Sequence, residues 1–254
     1  MRDAYKMATI TDPEREFLAA YDPTVYERPS LTVDVALIRV SDDALGTLLV
    51  TREEHPDKGK AALPGGFVRM SESLDEAAQR VLREKAGLEG VFLEQLYTFG
   101  APDRDPRTRI VTVTYFALVD GRRFDAIDRA THAVVPARIE VPWEGETGGP
   151  IDALTEGGGS LELAFDHADI LGMAVKRIRG KLDYTPIGFQ LLPDRFTLRQ
   201  LQHVHETVLG RPLNKDSFRR RMLASTELEA TGERQRDVDH RPAALYRFGR
   251  RSAV

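Results

Sequence analysis

The stretch GGFVRMSESLDEAAQRVLREKAGL, residues 65–88, constrains the fold of this chain more than any other. Two glycines open it, a run rich in Glu and Arg follows, and Gly87 closes it. Gly66, Glu72, Arg80, Glu84 and Gly87 stand at fixed intervals directly after an LPGG turn. On a helix through this run, positions 81, 84 and 85 are i, i+3 and i+4 and share one face. A charged helix alone reads as an ordinary amphipathic element with solvated side chains. The joint spacing is the specific signal, and it predicts a glycine loop leading into a helix that ends in a second loop.

Flanking segments supply strands. LTVDVALIRV and TLLVTR are β-branched runs separated by the turn SDDALG. VFLEQLYTFG and RIVTVTYFALVD form a second pair around the loop APDRDPRT, and ARIEVPW reads as a further strand. GETGGPIDALTEGGGS carries too much glycine for a regular element and reads as a loop or hairpin connection. Before the first strand, TDPEREFLAA reads as a short helix with Thr11 as cap, Pro13 in the first turn and Glu14 at the capping-box position. LELAFDHADILGMAVKRIRGKL starts like a strand and continues as an amphipathic helix with Asp166 as its cap.

Charge divides the chain. Residues 182–254 hold 13 Lys/Arg against 9 Asp/Glu, a balance of +4, which leaves −8 on residues 1–181 because the whole chain carries −4. An acidic body with a basic C-terminal part implies two tasks, one of them with an anionic partner. Cysteine is absent, which excludes disulfides and thiolate metal sites and fits a reducing compartment. MRDAYKMATITDPERE is too charged for a signal peptide, and no apolar run reaches membrane-spanning length. A soluble, cytoplasmic protein without a membrane partner is expected.

The intervals from Gly66 to Leu88 follow the frame of the Nudix box, and this half resembles a Nudix-like α/β sandwich. The full box would place glutamates at 81, 84 and 85, where three carboxylates can hold Mg²⁺ against a diphosphate and activate water. This chain has Val81, Glu84 and Lys85. Their charges sum to zero where three glutamates give −3, so the site is a poor host for a hard cation. Lys85 can instead attract a phosphate directly. The expectation is no metal site, no catalytic residues, and hydrolysis absent or vestigial. In the loop FGAPDRDPRTR, Arg104, Arg107 and Arg109 lie beside Asp103 and Asp105. These arginines suit bidentate phosphate recognition, or else form internal salt bridges in a solvated loop. Arg52, at the end of TLLVTR, is a further ligand candidate.

PDRFTLRQLQHVHETVLGRPLNKDSFRRRMLAS predicts two helices joined by a tight turn. Thr197 caps the first helix, Leu198, Leu201, Val204 and Leu209 are its buried face, and Gly210 ends it. Phe218 and Met222 form the buried stripe of the second, which places Arg220 nearly opposite and Arg219 and Arg221 beside it. LEATGERQ, DVDHRP and AALYRF read as strand, turn and strand, a wing with Arg241 at its tip. The alternative is a helical subdomain with surface arginines. His203 and His205 are two apart and cannot form a helical metal pair. His55, His132, His167 and His240 have no partner at ligand spacing.

The two halves together resemble the Nudix-related transcriptional regulator (NrtR) family. The runs YDPTVYERPSLTVDV, LPGGFV, EQLYTFGAPDRDPR, TYFALV, LAFDHADIL, FTLRQLQHVHETVLG and FRRRML carry the likeness. It implies an α/β (α+β) Nudix-like sandwich followed by a small winged helix-turn-helix domain. The expected units are an N-terminal extension over 1–29, an effector-binding domain over 30–165, a connecting helix over 166–182 and a DNA-binding domain over 183–254. It also implies a homodimeric repressor of NAD-metabolism genes on a palindromic operator, with ADP-ribose or a related NAD metabolite as effector and no required cofactor. Expected effector contacts are Arg52, Gly65, Gly66, Glu84, Lys85, Arg104, Arg107 and Arg109. Expected DNA contacts are Lys215, Ser217, Arg219, Arg220, Arg221 and Arg241. Ala61 or Ala62 stands where a tryptophan is common, a departure beside the effector turn. The rivals are an active ADP-ribose or nucleotide pyrophosphatase, a pentose-sensing repressor of the same build, and a non-specific RNA-binding or scaffolding module.

Overall fold

Strand β1 (Ser30–Ser41) organises the molecule because it is buried on both faces. Side chains alternate along a strand. Val33, Val35 and Leu37 therefore enter one core, and Ala36, Ile38 and Val40 enter another. A central strand covered on both sides reads as a continuous apolar run, as LTVDVALIRV does. A computed structural model of the chain describes residues 11–41, 44–182, 184–225, 227–236 and 241–249.

Eight further strands complete one nine-stranded mixed sheet around β1. They are β2 (Ala44–Thr51), β3 (Ala61–Ala62), β4 (Gly65–Phe67), β5 (Phe92–Phe99), β6 (Ile110–Leu118), β7 (Val134–Glu140), β8 (Asp152–Leu154) and β9 (Ser160–Leu161). The order is β5-β6-β1-β2-β7-β8-β9, with β3 on β2 and β4 on β1. β6 runs parallel to β1 in continuous register from Ser30/Ile110 to Ile38/Leu118. β4 pairs antiparallel with β1 at Val33/Gly66 and Asp34/Gly65, which carries the glycine turn onto the sheet.

Helix α2 (Leu74–Ala86) covers one face. Ser73 and Glu76 close a capping box at its start, and Gly87 ends it at φ 63°. Ala77, Ala78, Val81 and Leu82 pack there with Tyr115 and Phe124. Helix α5 (His167–Lys181) covers the other face with Ile170, Leu171, Ala174, Val175 and Ile178. It passes so close to the 149–150 backbone that a β-carbon on Gly172 would lie 1.8 Å from the Gly149 carbonyl oxygen.

The winged-helix segment follows. Helix α6 (Leu198–Leu209) opens with a Thr197/Gln200 capping box and ends at Gly210, φ 68°. Helix α7 (Lys215–Ala224) starts at Asn214, whose side chain accepts from the Ser217 N–H. β10 (Leu228–Arg234) and β11 (Ala244–Phe248) form the hairpin, and Phe196 joins Tyr246 of β11 through a single antiparallel bridge. Phe189 stacks on Phe248 at 4.7 Å, and Phe196, Leu201, Val204 and Phe218 join the apolar cluster of α5 and the sheet. One continuous core therefore joins the sheet, α5 and the winged helix.

Several expectations need correction. Thr11 stands at the N-cap of α1 (Asp12–Ala20) but makes no capping bond, and neither does Asp166 before α5. The Asp166 carboxylate is held elsewhere, as described below. The glycine-rich connection contains the hairpin β8–β9. Short helices α3 (Gly121–Asp125) and α4 (Arg129–His132) were not anticipated, and neither were β3 and β4. Leu209 and Met222 are half-buried where full burial was expected. The turn residues 237–240, with His240, lie outside the described residues.

Candidate effector site and nucleic-acid interface

The glycine turn sets the geometry of the first site. A β-carbon on Gly65 would fall 2.0 Å from Asp34 Oδ1, so only glycine permits this approach. Beyond it, Arg80 donates Nε and Nη2 to Glu72 at 2.8 and 2.6 Å, and Nη2 also to the Phe67 carbonyl. The Arg80 guanidinium, with help from the Arg69 N–H, holds the Glu72 carboxyl down at about 2. Glu84 receives Arg80 at 3.2 Å and Arg69 at 3.4 Å.

These pairings decide how well the box fits a metal. Val81 is 1% exposed and belongs to the core under α2, so this position faces packed side chains. Lys85 is exposed beside Glu84 on the helix. Glu72 and Glu84 are both occupied by arginine. One shared carboxylate beside an ammonium does not meet the demand of a hard divalent cation for several negative oxygens. Among the described residues no three His, Asp or Glu side chains group to hold a metal ion. The donor set does not fit Mg²⁺.

A cluster of arginines lies on the other side of the glycine turn. Arg104 grips Asp166 with Nε and Nη2 at 2.9 and 2.7 Å and lies 3.9 Å from Asp34. Arg107 chelates Asp105 at 3.0 and 2.7 Å and holds that carboxyl below its usual range. Arg52 stands 4.6 Å above the Phe165 ring, with Arg107 at 6.0 Å. Arg109 reaches the Ala101 carbonyl. His167 is fully buried, and its Nδ1 accepts the Leu63 N–H at 2.9 Å, which assigns the proton to Nε2. Burial lowers its pKa.

The structure thus gathers Arg52, Gly65, Arg104 and Arg107 around one wall. Gly66, Glu84 and Lys85 stand on the α2 side, and Arg109 at the edge of the loop. Arg107 pairs inside the loop with Asp105, whereas Arg104 is buried on Asp166, which lies outside the loop. Asp34, Phe165, Asp166 and His167 complete the wall and were missed. Their partners lie far away in sequence, and the left-handed φ of 52° at Phe165 has no glycine to announce it. Ala61 and Ala62 are both buried. Ala61 exchanges backbone hydrogen bonds with Glu162 and Ala164, tying the turn to the segment before α5.

In the C-terminal segment Phe218 is buried against His205 at 5.0 Å, edge to face. That packing turns Arg219, Arg220 and Arg221 outward, all exposed. A cleft of about 1370 Å³ lies between α6, the start of α7 and the wing. Lys215, Arg219 and Arg241 line it, together with Arg199, His203 and Arg234. Ser217 is exposed at the start of α7; Arg220 and Arg221 are exposed and do not line the cleft, and the Arg221 guanidinium lies 5.6 Å from the Phe218 ring. Arg199 of α6 was missed because the apolar face dominates the pattern of that helix. A basic concavity between a recognition helix and a wing suits the phosphate backbone of duplex DNA.

A Nudix-type sheet with an altered box, joined through one helix to a winged helix with a basic cleft, defines a class of ligand-responsive DNA-binding proteins. Residues 30–143 match the NUDIX domain family, and residues 188–248 match the NrtR DNA-binding winged helix domain. The ADPR responsive transcriptional repressor NtrR of Acinetobacter baylyi is 38% identical over 238 residues, 92% of this chain and 88% of its own length. The chain belongs to the NrtR family.

Shewanella oneidensis NrtR, crystallised with a 27mer DNA, is 35% identical with a TM-score of 0.71, covering 86% of this chain and 93% of that one. Its NUDIX domain, crystallised with ADP ribose, is 32% identical with a TM-score of 0.50, covering 65% of this chain and 98% of that one. An ADP-ribose pyrophosphatase of Methanocaldococcus jannaschii is 35% identical over 147 residues, 58% of this chain and 73% of its own length. Among the described residues no helix is long and apolar enough to cross a membrane.

Proposed function

We propose that this chain is a transcriptional repressor of NAD-metabolism genes that senses ADP-ribose without cleaving it. Val81 and Lys85 carry the reading. The first withdraws a ligand position into the core, and the second sets a cation where a carboxylate would bind metal. The Shewanella and Acinetobacter relatives support ADP-ribose as the ligand and DNA as the target. The diphosphate is recognised by cations of this chain, Arg52, Arg104, Arg107 and Lys85, with the close backbone of Gly65 and Gly66 beside them. Arg109 lies at the rim of the same loop.

Lys215, Arg219 and Arg241 grip operator DNA from the cleft, and Arg220 and Arg221 extend the basic face of α7. The protein acts as a cytoplasmic homodimer. Two copies place their winged helices about 34–36 Å apart, or a multiple of that, to read two half-sites on one face. ADP-ribose favours a different spacing and releases the operator, with a coupling of ~1–3 kcal/mol.

The test is a mobility shift on promoter DNA of NAD-pathway genes with and without ADP-ribose. Retarded DNA released by ADP-ribose supports the reading, and release by a pentose alone favours the sugar-sensing alternative. Rapid cleavage of ADP-ribose with Mg²⁺, without sequence-selective DNA binding, favours the pyrophosphatase. A steep salt dependence with no sequence preference favours the non-specific module.

A further inference from the structure

Asp166 occupies the N-cap position of α5 yet caps nothing. Its φ of −97° and ψ of 22° leave the extended cap geometry, and no N–H of the first turn reaches its side chain. An aspartate there would ordinarily accept a hydrogen bond from N2 or N3. Instead both carboxylate oxygens face Arg104, at 2.9 and 2.7 Å. The fork that binds a carboxylate this way binds a phosphate the same way.

Exposure orders the cations around this contact. The Arg104 side chain is 4% exposed, Asp166 20% and Arg107 43%. A diphosphate arriving from solvent meets Arg107 first. The two Arg104 nitrogens that Asp166 takes, Nε and Nη2, open to a diphosphate when Asp166 leaves them.

The segment before α5 is held by the same cluster. Phe165 has a φ of 52°, a left-handed conformation that a bulky residue rarely adopts. Asp57 accepts its N–H at 3.0 Å, Arg52 covers its ring, and the Leu63 N–H holds His167. At its other end α5 carries Arg179, whose Nε donates to the Val208 carbonyl on α6 at 2.7 Å. α5 therefore touches the effector wall with its first turn and the helix-turn-helix with its last.

We propose that Asp166 is a built-in stand-in for the effector's phosphate: it holds Arg104 until a diphosphate takes its place, and that displacement frees the first turn of α5. The proposal rests on the reading of the pocket as an ADP-ribose site and names how that site is regulated. Because binding couplings are reciprocal, whatever holds Asp166 on Arg104 weakens the effector by the same factor with which the effector weakens the closed state.

The experiment is calorimetric titration of ADP-ribose into the full chain and into Asp166→Asn, with hydrogen exchange of residues 167–171 in the unaltered protein. Asp166→Asn keeps the shape and removes the competing charge. ADP-ribose is expected to bind it about tenfold more tightly, within the usual ~5–150-fold range of such couplings. In the unaltered protein, ADP-ribose is expected to speed exchange in the first turn of α5. A folded Asp166→Asn that binds ADP-ribose no more tightly overturns the proposal. Unchanged or slowed exchange in the unaltered protein overturns it too, and decides the matter even where the variant does not fold. Failure of the unaltered protein to bind ADP-ribose removes the functional reading itself, and the proposal with it. That outcome is distinct from an unaltered protein that binds ADP-ribose and a variant that gains nothing.

Discussion

Val81 packs under the glycine loop: a β-carbon on Gly66 would stand 3.5 Å from Val81 Cγ2. The place of a metal-binding carboxylate is filled by a methyl group in the core. Val81→Glu alone buries a charge among Val33, Tyr115 and Leu82 and is expected to cost about 3 kcal/mol of stability. Adding Lys85→Glu puts three carboxylates on one face. Thermal melting with Mg²⁺ checks this: the double variant should gain stability with Mg²⁺, and the unaltered chain should not.

The Arg52 guanidinium lies over the Phe165 ring and donates to the Pro56 and Glu54 carbonyls. Arg52→Ala should weaken ADP-ribose binding about tenfold, as expected for loss of one charge-assisted contact of ~1.5 kcal/mol. Its melting temperature should stay within a few degrees of the unaltered chain. Titration calorimetry and a thermal melt read both.

Arg199 and Arg219 face the cleft from different helices, and both are exposed. Each substituted by Ala should lower operator affinity uniformly across sequences and reduce the slope of log affinity against log salt by about 1, the signature of one lost phosphate contact. Arg220→Ala should instead relax sequence selectivity, because Arg220 projects opposite the buried Phe218. Mobility shifts over a salt series, on operator and scrambled DNA, separate the two behaviours.

His167 is buried neutral, with Asp34, Asp166, Arg104 and Arg52 around it. Burial lowers its folded pKa below the ordinary 6.5. The unfolded chain therefore binds more protons in the window below 6.5, and stability must fall as pH falls from 6.5 toward the folded value. His167→Gln, which keeps an acceptor for the Leu63 N–H, should flatten that part of the profile. Denaturant unfolding at pH 7.5 and at pH 5.5 is the measurement.

What the sequence displayed follows from how local each signal is. The β-branched runs gave β1, β2, β5 and β6, and the Gly66–Gly87 spacing gave α2, because both patterns are set within a few residues. Thr197, Gly210 and Phe218 marked the helix-turn-helix for the same reason. Strands of two or three residues, such as β3 and β4, carry too few side chains to show a period. Asp166 looked like a cap because an aspartate before an apolar helix usually is one. Its partner stands 62 residues earlier, and no local pattern announces a pairing across that distance. Val81 and Lys85 read as lost charge. The structure adds that Val81 is packed in the core directly beneath Gly66.

Phosphorus NMR of ADP-ribose mixed with an equal concentration of the full chain, Mg²⁺ and promoter DNA of NAD-pathway genes tests the central claim most directly. A diphosphate resonance that broadens on binding, persists for hours and accompanies release of the DNA is the predicted result. Conversion to two phosphomonoesters at the pace of an ordinary enzyme would contradict it.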